Sequence, residues 1–343
     1  MSSKKEIKDE KNNSTFPQVK DIIENITKDY GQGVITTLEE GEINSRNTLS
    51  TGSFILDQAI GGGYAFGRII EIYGRESSGK TTLALHAVAE CQKSGKVAAY
   101  IDLENALDVR YAEKIGVNKK ELMILSPKHG EEALDLVNSL VKQNVGLIVV
   151  DSVAALIPKA ELEADLDKQT IGLRARLMSS ALVKINNSLA GKESIVIFIN
   201  QIRNKISTGF FAGNPETTSG GVSLAFFASL IIRLQTKERI EKNNEYIGIK
   251  TQAKINKNKL ASPYKEPILE IIFARGIQKE REIIDLATEL NLFQKSGNWY
   301  SYKEQKLGNG KENVTDYLVE NPNLFEEIEK EVNKNLEKEK SKP

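Results

Sequence analysis

The run Gly74-Arg75-Glu76-Ser77-Ser78-Gly79-Lys80-Thr81 constrains this chain more than any other. It fits Gly-x-x-x-x-Gly-Lys-Ser/Thr and stands where an apolar strand pattern, Arg-Ile-Ile-Glu-Ile-Tyr over 68–73, gives way to a helical pattern over 81–93. Glycines at these positions let successive backbone N–H groups curl around phosphate oxygens at a helix N-terminus, where the helix dipole also favours negative charge. Lys80 brings a cation to the β and γ phosphates of a nucleotide, and Thr81 offers a hydroxyl to Mg²⁺. Glu76, Ser77, Ser78 and Thr82 complete the cradle. A mere glycine turn with a surface lysine would not need the strand-to-helix position.

Around this loop the pattern alternates. Apolar strands are predicted at 68–73, 97–103, 146–151 and 194–200, with helices over 81–93, 108–115, 131–142 and 173–189, each long enough to cross over a sheet. Later runs at 229–234, 249–255 and 268–273 read as further strands. The fold class is therefore α/β, an ATPase-type core with a central, mostly parallel sheet. Residues 1–15 are polar, and Val19, Ile22, Ile23 and Ile26 recur at helical spacing, so 1–40 reads as a disordered start plus a short N-terminal helical segment. The core spans 41–277. A small C-terminal α/β domain over 278–335 holds helical stretches at 281–290 and 314–319 around the aromatic patch Trp299-Tyr300-Ser301-Tyr302, and 336–343 is expected as a disordered tail.

Composition removes several alternatives. Lys plus Arg and Asp plus Glu both total 47, so no global basic charge advertises a polyanion partner, and any nucleic-acid case must rest on local patches. The single cysteine, Cys91, sits in a helical apolar pattern and reads as a core residue in a reduced compartment. His86 and His129 lack partners at zinc-ligand spacing, so no protein-bound transition metal is expected. The N-terminus carries no signal-like apolar stretch and no window reaches membrane-spanning length; the expectation is cytoplasmic.

Phosphoryl transfer also needs a carboxylate near the metal and a group to activate water. Asp151 closes the run 146–151 at the end of a strand, where ligands meet such sheets; the phosphate loop nearby favours this over its other reading, a cap for the segment opened by Ser152. Glu104 follows strand 97–103 and reads either as the water-polarising acid or as a solvated acid at a helix start. Gln201, directly after strand 194–200, is either a γ-phosphate contact or an ordinary polar residue opening a loop.

Six motifs in order carry a resemblance: Leu49-Ser50-Thr51-Gly52-Ser53; the phosphate loop; Ile101-Asp102-Leu103-Glu104-Asn105-Ala106-Leu107-Asp108; Val149-Val150-Asp151-Ser152-Val153-Ala154-Ala155-Leu156; Phe198-Ile199-Asn200-Gln201-Ile202-Arg203; and Gly213-Asn214-Pro215-Glu216-Thr217-Thr218. From about Phe16 to Leu336 the chain resembles the bacterial RecA recombinase family of P-loop ATPases. The resemblance implies DNA-dependent ATP hydrolysis coupled to homologous pairing and strand exchange by a filament on single-stranded DNA, in recombination and repair. It further implies ATP and Mg²⁺ as cofactors, with Thr81 and Asp151 serving the metal. Glu104 is then the carboxylate that activates water, Gln201 the switch that reports the γ-phosphate, and Asp108 and Tyr111 nucleotide contacts, the ring packing on adenine. Lys257 and Lys259 match lysines that reach ATP across the subunit interface; by residue type alone they read as a solvated strand edge.

Two loops, 161–172 and 203–221, take the DNA-binding positions, with Glu163, Arg174 and Arg176 at the first and Arg203, Lys205, Ile206, Phe210, Gly220 and Gly221 at the second. The C-terminal domain is the expected gateway for duplex DNA, and a LexA-like repressor cleaved in an SOS response is a further partner the family implies. Departures are Arg75, where the family usually has Pro, Asn105 where His is common, and an end that mixes Glu and Lys instead of a strongly acidic tail. Two other readings share the phosphate loop: a ring-forming DNA helicase, and a small-molecule or protein kinase or regulator indifferent to DNA. The latter leaves both loops unexplained.

Overall fold

The computed structural model describes residues 17–31, 34–35, 47–164, 172–204, 216–219 and 221–340, in two compact units, Met1–Asn47 and Thr48–Pro343. The first unit contains the helix Pro17–Tyr30, which carries the predicted apolar stripe, and it ends beyond the sequence boundary at 40. In the second, β1 (Thr48–Leu49) pairs with β2 (Tyr64–Ala65), and β3 (Arg68–Gly74) enters the main sheet. That sheet continues with β4 (Ala98–Asp102), β5 (Leu122–Leu125), β6 (Leu147–Asp151), β7 (Ile195–Asn204) and β8 (Glu216–Thr218). It is completed by β9 (Leu230–Lys242), β10 (Glu245–Asn258), β11 (Ile268–Ile272) and β12 (Gly276–Ile277). The spatial order is β12-β11-β10-β9-β3-β7-β6-β4-β5, with β8 on β7. From β9 through β3, β7, β6 and β4 to β5 every pairing is parallel; the remainder is antiparallel.

The period-two alternation of these strands builds two cores at once. Ile70, Ile72, Tyr100, Leu147, Val149, Ile197 and Ile199 face one layer, packed under Leu83, Ala84, Ala87, Val88 and Cys91 of the helix Lys80–Lys93. Ile69, Ile101, Ile148, Val150, Val196 and Phe198 face the other, under the helices Gly130–Lys142 and Leu173–Leu189. Burial on both faces is why the strands read as continuous apolar runs, and each such side chain contributes roughly 1.5–3 kcal/mol.

A second lobe follows β12: the helix Lys279–Glu289, the meander β13 (Gln294–Ser296), β14 (Trp299–Tyr302) and β15 (Gln305–Asn309), then the helices Lys311–Glu320 and Pro322–Lys340. The aromatic patch is thus its central strand. Its core unites Ile283, Ile284, Phe293, Tyr302, Leu307, Val314, Leu318, Ile328 and Val332 with Phe54, which comes from the opposite end of the unit in sequence. Ser53, the cap of the helix Phe54–Ile60, donates to Glu282 Oε1 at 2.7 Å, and Ile55 N donates to Oε2 at 3.3 Å. The last helix runs to Lys340, past the expected boundary at 336, with Ile328, Val332 and Leu336 at helical spacing against the lobe. Among the described residues no helix is long and apolar enough to cross a membrane.

Candidate active site

Gly74, Asp102 and Asp151 end three parallel strands, and the chain crosses the same edge of the sheet at Asn200 and Gln201 of β7. The strand register sets Gly74 beside Gln201 and Asp102 beside Asp151. The edge therefore collects the candidate residues at the carboxyl ends of the strands.

The phosphate loop needs its glycines for space. A Cβ on Gly74 would sit 2.4 Å from the Leu234 carbonyl oxygen, and one on Gly79, whose φ is +93°, would sit 2.3 Å from Ile271 Cδ1. Lys80 Nζ donates to the Arg75 carbonyl at 2.7 Å, closing the loop upon itself. Burial lowers its pKa, while Asp151, Glu104 and Glu76 pull the other way. Ser78 Oγ is buried without a hydrogen-bond partner among the described residues, which fits a cradle completed by a phosphate oxygen.

Thr81 Oγ1 donates to Asp151 Oδ2 at 3.0 Å, and Tyr100 OH donates to the same oxygen at 2.6 Å. Burial raises the Asp151 pKa, offset by these two donors. Among the described residues no three His, Cys, Asp or Glu side chains cluster as a metal site. A hydroxyl and one carboxylate are nevertheless a fitting set for Mg²⁺, which keeps its waters and takes substrate phosphates as further ligands. Asp102 accepts from Ala106 N and Leu107 N, fixing the turn that carries Glu104. Glu104 Oε1 in turn accepts from Ser152 Oγ and from Gln201 Nε2, the latter at 3.1 Å. Sequence singled out Glu104, Gln201 and Asp151 but not Tyr100 or Ser152, whose hydroxyls reach across strands from about 50 residues away in the chain.

Asp108 caps the helix Val109–Ile115 by accepting from Arg110 N and Tyr111 N, which sets Tyr111 OH 2.9 Å from Thr82 Oγ1. Ser77, Ser78, Gly79, Lys80, Thr81, Thr82 and Tyr111 line a cavity of about 250 Å³ closed by Ile249, Ile271 and Phe273. A larger cavity of about 560 Å³ lies at the seam with the second lobe. Its Lys250 pairs with Glu238, and its Arg281 and Lys311 pair with Glu270, so its charge is matched internally.

Lys257 and Lys259 lie near the end of β10, where Lys257 Nζ donates to the carbonyls of Ala225 and Phe226 at 2.8 and 2.9 Å, at the end of the helix Ser223–Phe227. At the first loop, residues 159–162 form a helical turn, Glu163 lies 3.6 Å from Lys159, and Arg174 grips Glu161 with two nitrogens. Arg176 is exposed in the first turn of Leu173–Leu189. The second loop has a stem that sequence did not reveal: Ile202, Arg203 and Asn204 pair with Thr218, Thr217 and Glu216. Asn200 ties it further, its Oδ1 accepting from Gln201 N and Ser219 N and its Nδ2 donating to Glu71 Oε1 and the Ser219 carbonyl. Gly221, at φ +78°, leads into the helix Ser223–Phe227. Lys205, Ile206, Phe210 and Gly220 lie outside the described residues.

Comparison with known proteins agrees with this geometry. The RecA N-terminal domain family matches residues 17–278, and the RecA C-terminal domain family matches 281–337. Protein RecA of Mesoplasma florum is 48% identical over 340 residues, covering 98% of this chain and 100% of its own length. Protein RecA of Bacillus subtilis strain 168 is 48% identical over 312 residues, covering 90% and 89%. The chain belongs to the RecA family, the DNA-dependent ATPases of recombination and repair.

Proposed function

We propose that this chain binds Mg²⁺-ATP in the cavity beneath Tyr111, assembles as a filament on single-stranded DNA, and pairs that strand with homologous duplex. The observation that carries the reading is the pairing of Glu104 with Gln201, which joins the water-activating carboxylate to the strand that opens the second loop. Lys80 and the loop amides hold the β and γ phosphates, and Ser78 Oγ gains its missing partner there. Thr81 and Asp151 would hold a Mg²⁺, which would supply neutralisation of the phosphate charge. Glu104 takes a proton from the attacking water while Ser152 orients it. Gln201 Nε2 exchanges Glu104 for the γ-phosphate, and the shift passes along β7 into residues 203–221. Lys257 and Lys259 serve the nucleotide of the neighbouring subunit, Lys257 releasing the Ala225 and Phe226 carbonyls it holds in the lone chain.

Base pairing between DNA strands supplies specificity, so the protein needs only backbone contacts and stacking. Arg176 and Arg203 neutralise phosphates, together with Lys205; Ile206 and Phe210 space the bases. The lobe over 278–335 receives duplex through Trp299 and its lysines; Lys306 Nζ lies 5.6 Å from that ring centroid. Removing one phosphate contact by Arg176→Ala should flatten the log–log salt dependence of single-strand binding by about 0.7, read by fluorescence anisotropy. The reading as a whole is tested by incubating protein, ATP and a single-stranded oligonucleotide with supercoiled plasmid. Joint molecules should form with homologous plasmid and ATP, and not with unrelated plasmid or without ATP. Unwinding of tailed forks without joint molecules would favour a helicase.

A further inference from the structure

Tyr100 sits in β4 opposite Val149 of β6, buried in the layer packed under the helix Lys80–Lys93, and its hydroxyl donates to Asp151 Oδ2 at 2.6 Å. Packing alone needs no hydroxyl there. A carboxylate torsion is broad and two-fold, so one hydrogen bond leaves it loosely set. The other donor, Thr81, must also present its oxygen to the metal, and it can do so reliably only if the carboxylate it donates to is fixed from a second direction.

We propose that Tyr100 is a positioning residue for the divalent cation, its hydroxyl clamping the Asp151 carboxylate in the rotation that sets Thr81 for Mg²⁺. The inference rests on the reading of this cavity as a Mg²⁺-nucleotide site. Tyr100 touches neither metal nor phosphate; it acts through Asp151.

The test is Tyr100→Phe in the full chain, which keeps ring and packing, with binding of a fluorescent ADP followed at increasing Mg²⁺ and in chelator, without turnover. The half-saturating Mg²⁺ concentration should rise about tenfold, as for loss of one hydrogen bond to a charged group, with metal-free affinity and unfolding temperature near those of the parent. On an Asp151→Asn background the same change should produce no further shift. An unaltered Mg²⁺ requirement, or an equal shift on the Asp151→Asn background, would overturn the proposal. A parent protein whose ADP binding ignores Mg²⁺ would overturn the site reading itself, and the proposal with it.

Discussion

Glu104→Gln should hydrolyse ATP about 10²–10⁴ times more slowly than the parent, the usual contribution of a positioned general base, while still binding nucleotide and single-stranded DNA. The substitution is isosteric, and the new amide oxygen can accept from Ser152 and Gln201 as the carboxylate does, so the local geometry survives and only the proton acceptor is lost. Lys80→Ala provides the contrast. It removes the cation from the phosphates and the loop-closing bond to the Arg75 carbonyl, so affinity and turnover should fall together. Single-turnover hydrolysis and fluorescent-nucleotide binding, measured on both variants, separate the two roles. Turnover of Glu104→Gln within about tenfold of the parent would remove Glu104 from the chemistry.

The second large effect concerns stability. Burial pushes Glu282 from 4.5 up to about 8, against the pull of Ser53 and the backbone N–H groups of Ile55 and Phe54, with Asp57 adding to the rise. Asp57 itself is pushed by burial from 3.8 to about 6, opposed by Ser50, Thr51 and Lys279. An unfolded chain releases these protons earlier than the folded one does. Between about 4 and 8 the native state therefore holds more protons, and stability falls as pH rises through that window. At about 1.4 kcal/mol per pKa unit the effect is on the order of a few kcal/mol, or several degrees of unfolding temperature. Glu282→Gln should leave thermal stability near about pH 5 little changed and raise it near about pH 9, flattening the profile. Parallel profiles for variant and parent would show that Glu282 ionises in the folded state at an ordinary pH.

Much of the nucleotide site was legible because its residues lie at strand ends, where continuous apolar runs stop at Gly74, Asp151 and Asn200. The helix Leu173–Leu189 shows itself by Met178, Leu182, Ile185 and Leu189 at helical spacing, and the helix Lys80–Lys93, buried continuously from Leu83 to Ala89, by its place directly after the phosphate loop. Elsewhere the pattern is diluted. The hairpin of β9 and β10 extends well beyond the apolar runs at 229–234 and 249–255, since Gln235 to Tyr246 is largely polar and solvent-facing and is held by ladder bonds rather than by a core. The edge strand β5 exposes Met123 and Ile124, and β13 is exposed throughout, so neither shows alternation. Contacts across strands, such as Tyr100 on Asp151 and Asn200 on Ser219, leave no trace in local spacing.

The stem beneath the second loop has a consequence for the entropy of DNA capture. Bringing the ends of a chain segment together costs free energy that grows slowly with its length. Here the ladder between residues 202–204 and 216–218, and the Asn200 amide gripping Ser219 on both its N–H and its carbonyl, join those ends within the folded subunit. That closure cost belongs to folding, and it does not recur each time a subunit meets a strand of DNA. Along a filament, the same saving would apply to every subunit.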